Sequence, residues 1–198
     1  MNQFVQMSTV MVDRFRDGFD RAVAANIPEP TAMTLATADM NGRPSARTVL
    51  LKDMDAEGFV FYTNLESRKG RQLMANPEVA LVFWWRELAE QVIIEGRAER
   101  VDNAEADAYF ATRPRDSQIG AWASKQSGEL SSREELMERV AHFEHKFSGQ
   151  DVPRPPYWTG FRVRPRRVEF WYGRESRLHD RVCFDLVDGG WRESLLYP

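Results

Sequence analysis

Thiol chemistry is nearly absent from this chain. One cysteine, Cys183, stands in 198 residues, so no internal disulfide can form, and its place in the apolar alternation "VCFDLV" suits a small buried hydrophobe in a reducing compartment. Histidine is scarce too, with three residues. His142 and His145 lie three apart on a helical pattern, but no third and fourth ligand accompanies them, which argues against zinc. Neither sign of charge dominates: 27 basic and 30 acidic side chains leave a net charge of −3, too even a balance to hold nucleic acid or an anionic membrane by global charge. The most basic run, "RVRPRR", sits in a strand pattern without the aromatic platform of a single-strand binder. No apolar run approaches the roughly 18 to 20 residues of a membrane span, and "MNQFVQMSTV" lacks the basic-then-apolar order of a secretory signal. G-x-G-x-x-G, P-loop, G-x-S-x-G and paired metal motifs are all missing. A cytoplasmic protein with no nucleic-acid or membrane partner is expected, and any anion site must be local.

What is present describes a folded chain. Hydrophobic residues at 42% and charged residues at 29% exclude disorder, and the length suits a single domain over 1–198. Val10, Val12, Phe15, Phe19 and Val23 recur at near-helical spacing, predicting a helix over about 8–25 that "IPEP" ends. "AMTLATAD", "SARTVLLKD" and "GFVFYTN" follow, separated by the turn sequences "NGRP" and "DAEG", and read as an antiparallel meander. Ser67 caps a helix that runs to about Ala75; "VALVFWW" and "EQVIIEGRAERV" are two more strands. Helical patterns at about 103–112 and 131–147 form an insertion, "DVPRPP" is a stiff linker, and "WTGFRVRPRRVEFWYG", "RVCFDLV" and "WRESLLY" close the chain on strands. Seven or eight strands with peripheral helices predict an α+β, mainly β fold: a small barrel.

Three clusters carry candidate chemistry. Arg68 and Lys69 follow the Ser67 cap at a helix N-terminus, where cations oppose the macrodipole. A phosphate there resolves the conflict, as does turning both side chains into solvent. In "RTVLLK", Arg47 and Lys52 bracket four apolar residues on a strand expected to be largely buried. Their odd spacing aims them at opposite faces of a regular strand, so they serve either two sites or one site reached through a bulge. In "YFATRPRDSQIGAWASKQS", Tyr109, Arg113 and Ser117 are spaced by four and suit a phosphate monoester, although Pro114 breaks a continuous helix between them. Gln126 and Ser127 can read the edge of a heterocycle, and Trp171 can pack on a ring. Finally, "SRLHDRV" read as a strand puts Arg177, His179 and Arg181 on one face, as a solvated edge or as the lining of an anion pocket.

In this order, "RTVLLK", "FYTN", "SRK", "EQVIIEG", "RPRDSQIGAWASKQS", "EFWYG" and "RLHDR" resemble the pyridoxamine 5'-phosphate oxidase family, over about Thr31 to Pro198. The resemblance implies an FMN-binding split β-barrel of Greek-key type and a homodimer with FMN at its interface. It implies FMN contacts from Arg47, Thr48, Val49, Leu50, Lys52, Tyr62, Thr63, Arg68, Lys69, Gln91, Gln126, Ser127, Trp171 and Arg181. The substrate phosphate would be met by Lys52, Tyr109, Arg113 and Ser117, with Arg177 and His179 flanking the pyridine ring over the flavin as the catalytic pair. The implied reaction oxidises C4' of pyridoxamine or pyridoxine 5'-phosphate to the aldehyde of pyridoxal 5'-phosphate, with FMN as hydride acceptor and dioxygen reduced to hydrogen peroxide. No metal is implied. Family members often cover the substrate with an N-terminal Arg and Tyr, and no Arg-x-x-Tyr precedes the first helix here. Two other functions share the barrel: a phenazine-pathway-type flavin oxidase and a non-catalytic FMN or pyridoxal-phosphate carrier.

Overall fold

The computed structural model of the chain describes residues 5–198. Helix α1 (Thr9–Ala24) starts where the Ser8 side chain accepts from the Met11 N–H, and it buries Met11, Val12, Phe15 and Ala22. Its Phe15 ring meets Phe59 and Phe83 edge-on at 5.0 and 5.2 Å, an arrangement that adds to the burial term. The helix thereby joins the same core as the strands.

Nine strands follow among the described residues: β1 (Ala32–Ala38), β2 (Pro44–Leu50), β3 (Asp53–Asp55), β4 (Gly58–Asn64), β5 (Glu78–Trp85), β6 (Glu90–Arg100), β7 (Trp158–Tyr172), β8 (Asp180–Val187) and β9 (Gly190–Leu195). They form one sheet in the order β2-β1-β5-β6-β7-β4-β3, with β8 on β7 and β9 on β8. Every pairing is antiparallel. Strands β2 and β3 stand at opposite ends of that order, yet only Leu51 and Lys52 separate them. From Leu50 to Asp53 is three Cα steps, about 11 Å at most, so the sheet must curl until its ends are neighbours. The closure shows in two consecutive N–H groups: Leu51 donates to Thr31 O, next to β1, at 2.9 Å, and Lys52 to Val60 O on β4 at 2.8 Å. A bulge at Glu95/Gly96 opposite Pro165 sharpens the bend. Glycine is required there, because a Cβ on Gly96 would lie 2.2 Å from Arg164 O.

The predicted barrel with peripheral helices is therefore present, with three corrections. Nine strands stand among the described residues rather than seven or eight, the three-residue β3 being too short to read. The first three β segments are not a meander: β1 pairs with β2, but β4 pairs with β3 and β7, because the seam lies between β2 and β3. Strand β2 is also not largely buried. It is an edge strand on which Thr48 is exposed and Arg47, Val49 and Leu50 are half-buried. Cys183 is buried as expected, and desolvation pushes its thiol up to about 11.

Helix α2 (Arg68–Ala75) follows β4. Between β6 and β7 lie α3 (Asn103–Thr112), α4 (Arg115–Ala123) and α5 (Arg133–Lys146). They pack against the start of β7 through Phe110, Ile119, Phe147, Val152 and Trp158. No helix among the described residues is long and apolar enough to cross a membrane.

Candidate functional site

The seam between β2 and β4 opens into a cavity of about 600 Å³, walled on the far side by α3 and α4. That volume falls within the roughly 300 to 1,000 Å³ of small-molecule sites. Its lining includes Arg47, Thr48, Val49, Leu50, Lys52, Tyr62, Thr63, Lys69, Tyr109, Arg113, Ser117 and Gln126. Segments as far apart as β2 and α4 thus converge on one space. Arg47 and Lys52 reach it together because β2 ends at Leu50; Lys52 lies beyond the strand, so strand alternation does not govern it and no bulge is needed.

One part of the cavity is a cluster of cations without a carboxylate. Arg47 donates to Leu35 O (3.1 Å), Thr37 Oγ1 (2.7 Å) and Ser45 Oγ (2.6 Å). The Gln72 Oε1 oxygen, which accepts from Thr37 and Ser45 at 2.7 and 2.8 Å, ties this network together. Every partner is neutral, so the guanidinium is fixed in place while its charge stays uncompensated. Burial and then the nearby Arg68 lower its pKa. Ser67 caps α2 by accepting from the Gly70 N–H at 3.1 Å, and Lys69 turns back from the first turn to donate to Ser67 Oγ (3.3 Å) and Gln126 Oε1 (2.8 Å). Desolvation, with Arg47's charge second, pushes Lys69 down to about 8. Three cations that destabilise one another beside a capped helix start are stabilised by a bound phosphate, through charge and through free N–H groups.

A second part surrounds Arg113. Helix α3 stops at Thr112 because Arg113 precedes Pro114 and takes an extended backbone, φ −72° and ψ 146°. The side chain is thereby thrown off the helix axis into the cavity. Its Cζ lies 4.8 Å from the Trp158 ring centroid and 5.4 Å from that of Phe110. The Nη1 atom is buried and has no hydrogen-bond partner, and desolvation lowers the group's pKa. A buried, unpaired guanidinium nitrogen costs free energy unless something arrives to accept from it. Tyr109 and Ser117 line the same wall. The Tyr62 ring stacks between this wall and the sheet, 4.0 Å from Tyr109 and 5.1 Å from Trp158. It can lie flat only because Gly160 faces it: a Cβ there would be 2.7 Å from the ring. Burial, with Glu105 second, pushes the Tyr62 hydroxyl up to about 12, so it is a neutral donor.

The remaining candidates sit elsewhere. Gln91, Trp171 and Arg181 are register partners across β6, β7 and β8, and His179 packs its ring 4.4 Å from Trp171. None of these, nor Arg177, lines the cavity. Arg181 is held by the buried Glu169 through two bonds of 2.7 and 3.0 Å. The single-face strand expected for "SRLHDRV" is not formed. Strand β8 begins only at Asp180, and Ser176 and Arg177 have φ of +56° and +62°, so a left-handed turn breaks the alternation. His179 Nδ1 accepts from the Arg174 N–H at 3.1 Å, which leaves Nε2 as the donor of the neutral ring. Arg68 is exposed at the α2 start, and Ser127, with φ +70°, borders a separate crevice under α5. Residues 1–4 of the stretch ahead of α1, where the covering Arg-x-x-Tyr was sought, lie outside the described residues.

Five lining residues were missed by sequence reasoning: Gly120, Ala121, Ser124, Asn64 and Trp158. The first three share one face of α4 with Ser117, at the i, i+3, i+4, i+7 spacing. That run of small residues on a helix face was a readable sign of space left for a ligand.

Comparison with known proteins agrees with this geometry. A family model described as pyridoxamine 5'-phosphate oxidase matches residues 19–172, and one described as pyridoxine 5'-phosphate oxidase C-terminal dimerisation region matches 158–198. A pyridoxine/pyridoxamine 5'-phosphate oxidase of Myxococcus xanthus (strain DK1622) is 60% identical over 94% of this chain and 91% of its own. One from Synechocystis is 53% identical over 93% and 86%. Among solved structures, PhzG from Burkholderia lata 383, in complex with tetrahydrophenazine-1-carboxylic acid, superposes with a TM-score of 0.90 at 33% identity, over 94% of this chain and 92% of its own. With family models spanning nearly its whole length and relatives above half identity, this chain belongs to the pyridoxamine 5'-phosphate oxidase family.

Proposed function

We propose that the chain is an FMN-dependent oxidase that converts pyridoxamine 5'-phosphate and pyridoxine 5'-phosphate to pyridoxal 5'-phosphate, with dioxygen as acceptor and hydrogen peroxide as by-product. The observation that carries this reading is the partnerless Arg113 Nη1 in the same cavity as the carboxylate-free Arg47 and Lys69 cluster. Two separate demands for an anion suit a cofactor phosphate and a substrate phosphate. The donor set fits FMN, which when bound supplies the two-electron acceptor that the chain's own side chains lack.

Arg47, Arg68 and Lys69 would hold the cofactor phosphate, while Thr63 and Gln126, already joined at 3.3 Å, offer neutral groups to a ring edge. Arg113, Tyr109, Ser117 and Lys52 would fix the substrate phosphate, so that the reacting carbon is placed by distant contacts rather than by a covalent bond to the protein. Arg177 and His179 would orient the pyridine ring, His179 through its Nε2–H. These last two belong, with Trp171 and Arg181, to the segment matched by the dimerisation region. We therefore assign them to a partner subunit's cavity in a homodimer with FMN at the interface. The half-exposed edge strand β2 and the absence of these residues from their own chain's cavity support that arrangement.

The test is purification of the protein with its flavin and measurement of oxygen uptake. Uptake with pyridoxamine 5'-phosphate, and none with tetrahydrophenazine-1-carboxylic acid, is expected. Flavin without turnover on either would leave a carrier, and the reverse preference a phenazine-type oxidase. Dilution to monomers should release FMN; a monomer retaining stoichiometric flavin would overturn the shared site.

A further inference from the structure

We propose that Trp158 is a positioning residue for phosphate recognition: its indole face holds the Arg113 guanidinium at the cavity wall in place of a carboxylate. The inference rests on the oxidase reading above and names the group that makes its phosphate contact selective. Among the described residues, Arg113 has no ion pair, and its Nη1 has no hydrogen bond. A flexible arginine in that state would be expected to turn toward water. Instead it is half-buried, with its Cζ 4.8 Å from the Trp158 centroid.

An aromatic face suits this task better than an acid would. A carboxylate would hold the side chain more tightly, but it would neutralise the charge and occupy the N–H groups that an incoming phosphate needs. The ring quadrupole attracts the cation and leaves its planar edge free to donate. Trp158 is itself rigidly placed. It is 7% exposed, its backbone pairs with Asn64 at the end of β4, and its ring is nearly parallel to Tyr62 and Tyr109, with interplanar angles of 9° and 2°. Phe110 closes the stack edge-on at 5.0 Å. Sheet and helical insertion thus meet at the tryptophan, and the arginine emerges from the helix directly over it.

The test compares Trp158→Phe with Trp158→Leu in the flavin-loaded enzyme. Both variants leave a void in the same apolar cluster, so a loss common to both reports packing, while the difference between them reports the aromatic face. In Trp158→Leu, the KM for pyridoxamine 5'-phosphate and the inhibition constant of pyridoxal 5'-phosphate should rise together by about threefold to thirtyfold, the range of a partly desolvated cation–π contact. Trp158→Phe should recover much of that loss. The inhibition constant of unphosphorylated pyridoxal should move far less. Equal weakening for pyridoxal and its phosphate, or equal losses in the two variants, would make Trp158 a packing residue and overturn the proposal. A wild-type enzyme that turns over neither phosphorylated substrate would instead strike at the oxidase reading, and would show before any variant is made.

Discussion

Lys69 Nζ donates to Gln126 Oε1 at 2.8 Å, joining the first turn of α2 to the segment after α4. Both groups face the cavity, so the bond fixes an ammonium where the surroundings disfavour its charge.

A pH dependence follows from that placement. With its pKa pushed down to about 8 by burial and by Arg47, Lys69 loses its proton as pH rises past that value, whereas an unfolded lysine keeps it to about 10.4. The unfolded state then binds more protons, so the stability of the flavin-free protein should rise with pH between about 8 and 10 through this group. Phosphate binding favours the charged form, so FMN affinity should fall over the same range. Lys69→Arg stays charged and should lose that step in affinity. Flavin titrations at pH 7, 8 and 9 on both proteins check this, and parallel curves would refute it.

Replacing Arg113 separates binding from folding. Among the described residues the guanidinium has no polar partner to lose at Nη1, so Arg113→Met gives up only its contacts with the Trp158 and Phe110 rings and should change the flavin-free protein's stability by no more than about 2 kcal/mol. The KM for pyridoxamine 5'-phosphate should climb about tenfold to a hundredfold, since charge-assisted hydrogen bonds are worth roughly 1.5 to 3 kcal/mol. Thermal unfolding and steady-state kinetics on one preparation decide it. A large stability loss with an unchanged KM would reverse the assignment.

Arg181 should behave in the opposite way. Its removal takes two short bonds from the Glu169 carboxylate, which is 7% exposed, and leaves it the longer Arg167 contact at 3.6 Å. Arg181→Ala should cost roughly 1 to 3 kcal/mol of stability, and adding Glu169→Gln should restore part of it. Arg177→Ala, on a turn where no ion pair to that side chain is found among the described residues, should leave stability unchanged and weaken substrate. Denaturant unfolding of the double-mutant set measures the coupling.

Gly160→Ala tests the geometry of the Tyr62 stack. The added methyl would lie 2.7 Å from the ring and 2.9 Å from Val101 Cγ2, so about 1 to 3 kcal/mol of overpacking is expected. Because the ring must tilt away from Tyr109 and Trp158, phosphate-dependent substrate affinity should fall as well. Normal kinetics in a destabilised protein would show that the ring's angle is unimportant.

Local signals were legible in the sequence. The first helix, the cap at Ser67 and the break at Pro114 stand where the local sequence placed them, because each depends on neighbours a few residues away. The strand partners were not legible: nothing in "SARTVLLKD" tells that β2 ends one edge of the sheet, since curling is decided by the bulge at Gly96 and by packing far along the chain. Tyr109, Arg113 and Ser117 line one cavity, but not for the reason their spacing of four suggests. They converge through a helix break followed by α4, not along one helical face. Trp158 looked like any core aromatic, because its partner Arg113 is 45 residues away. The "SRLHDRV" turn was missed because its left-handed residues are Ser and Arg, without the glycine that usually announces such a backbone.

Cys183 gives the proposed chemistry a different significance. An oxidase that releases peroxide at each turnover exposes itself to its own by-product, and peroxide attacks thiolates in preference to thiols. With its one sulfhydryl fully enclosed and raised to about 11, the enzyme offers almost no thiolate at neutral pH. The thioethers of Met40, Met74 and Met137 stand exposed outside the cavity lining, so peroxide set free by the proposed reaction would meet surface thioethers rather than a thiolate.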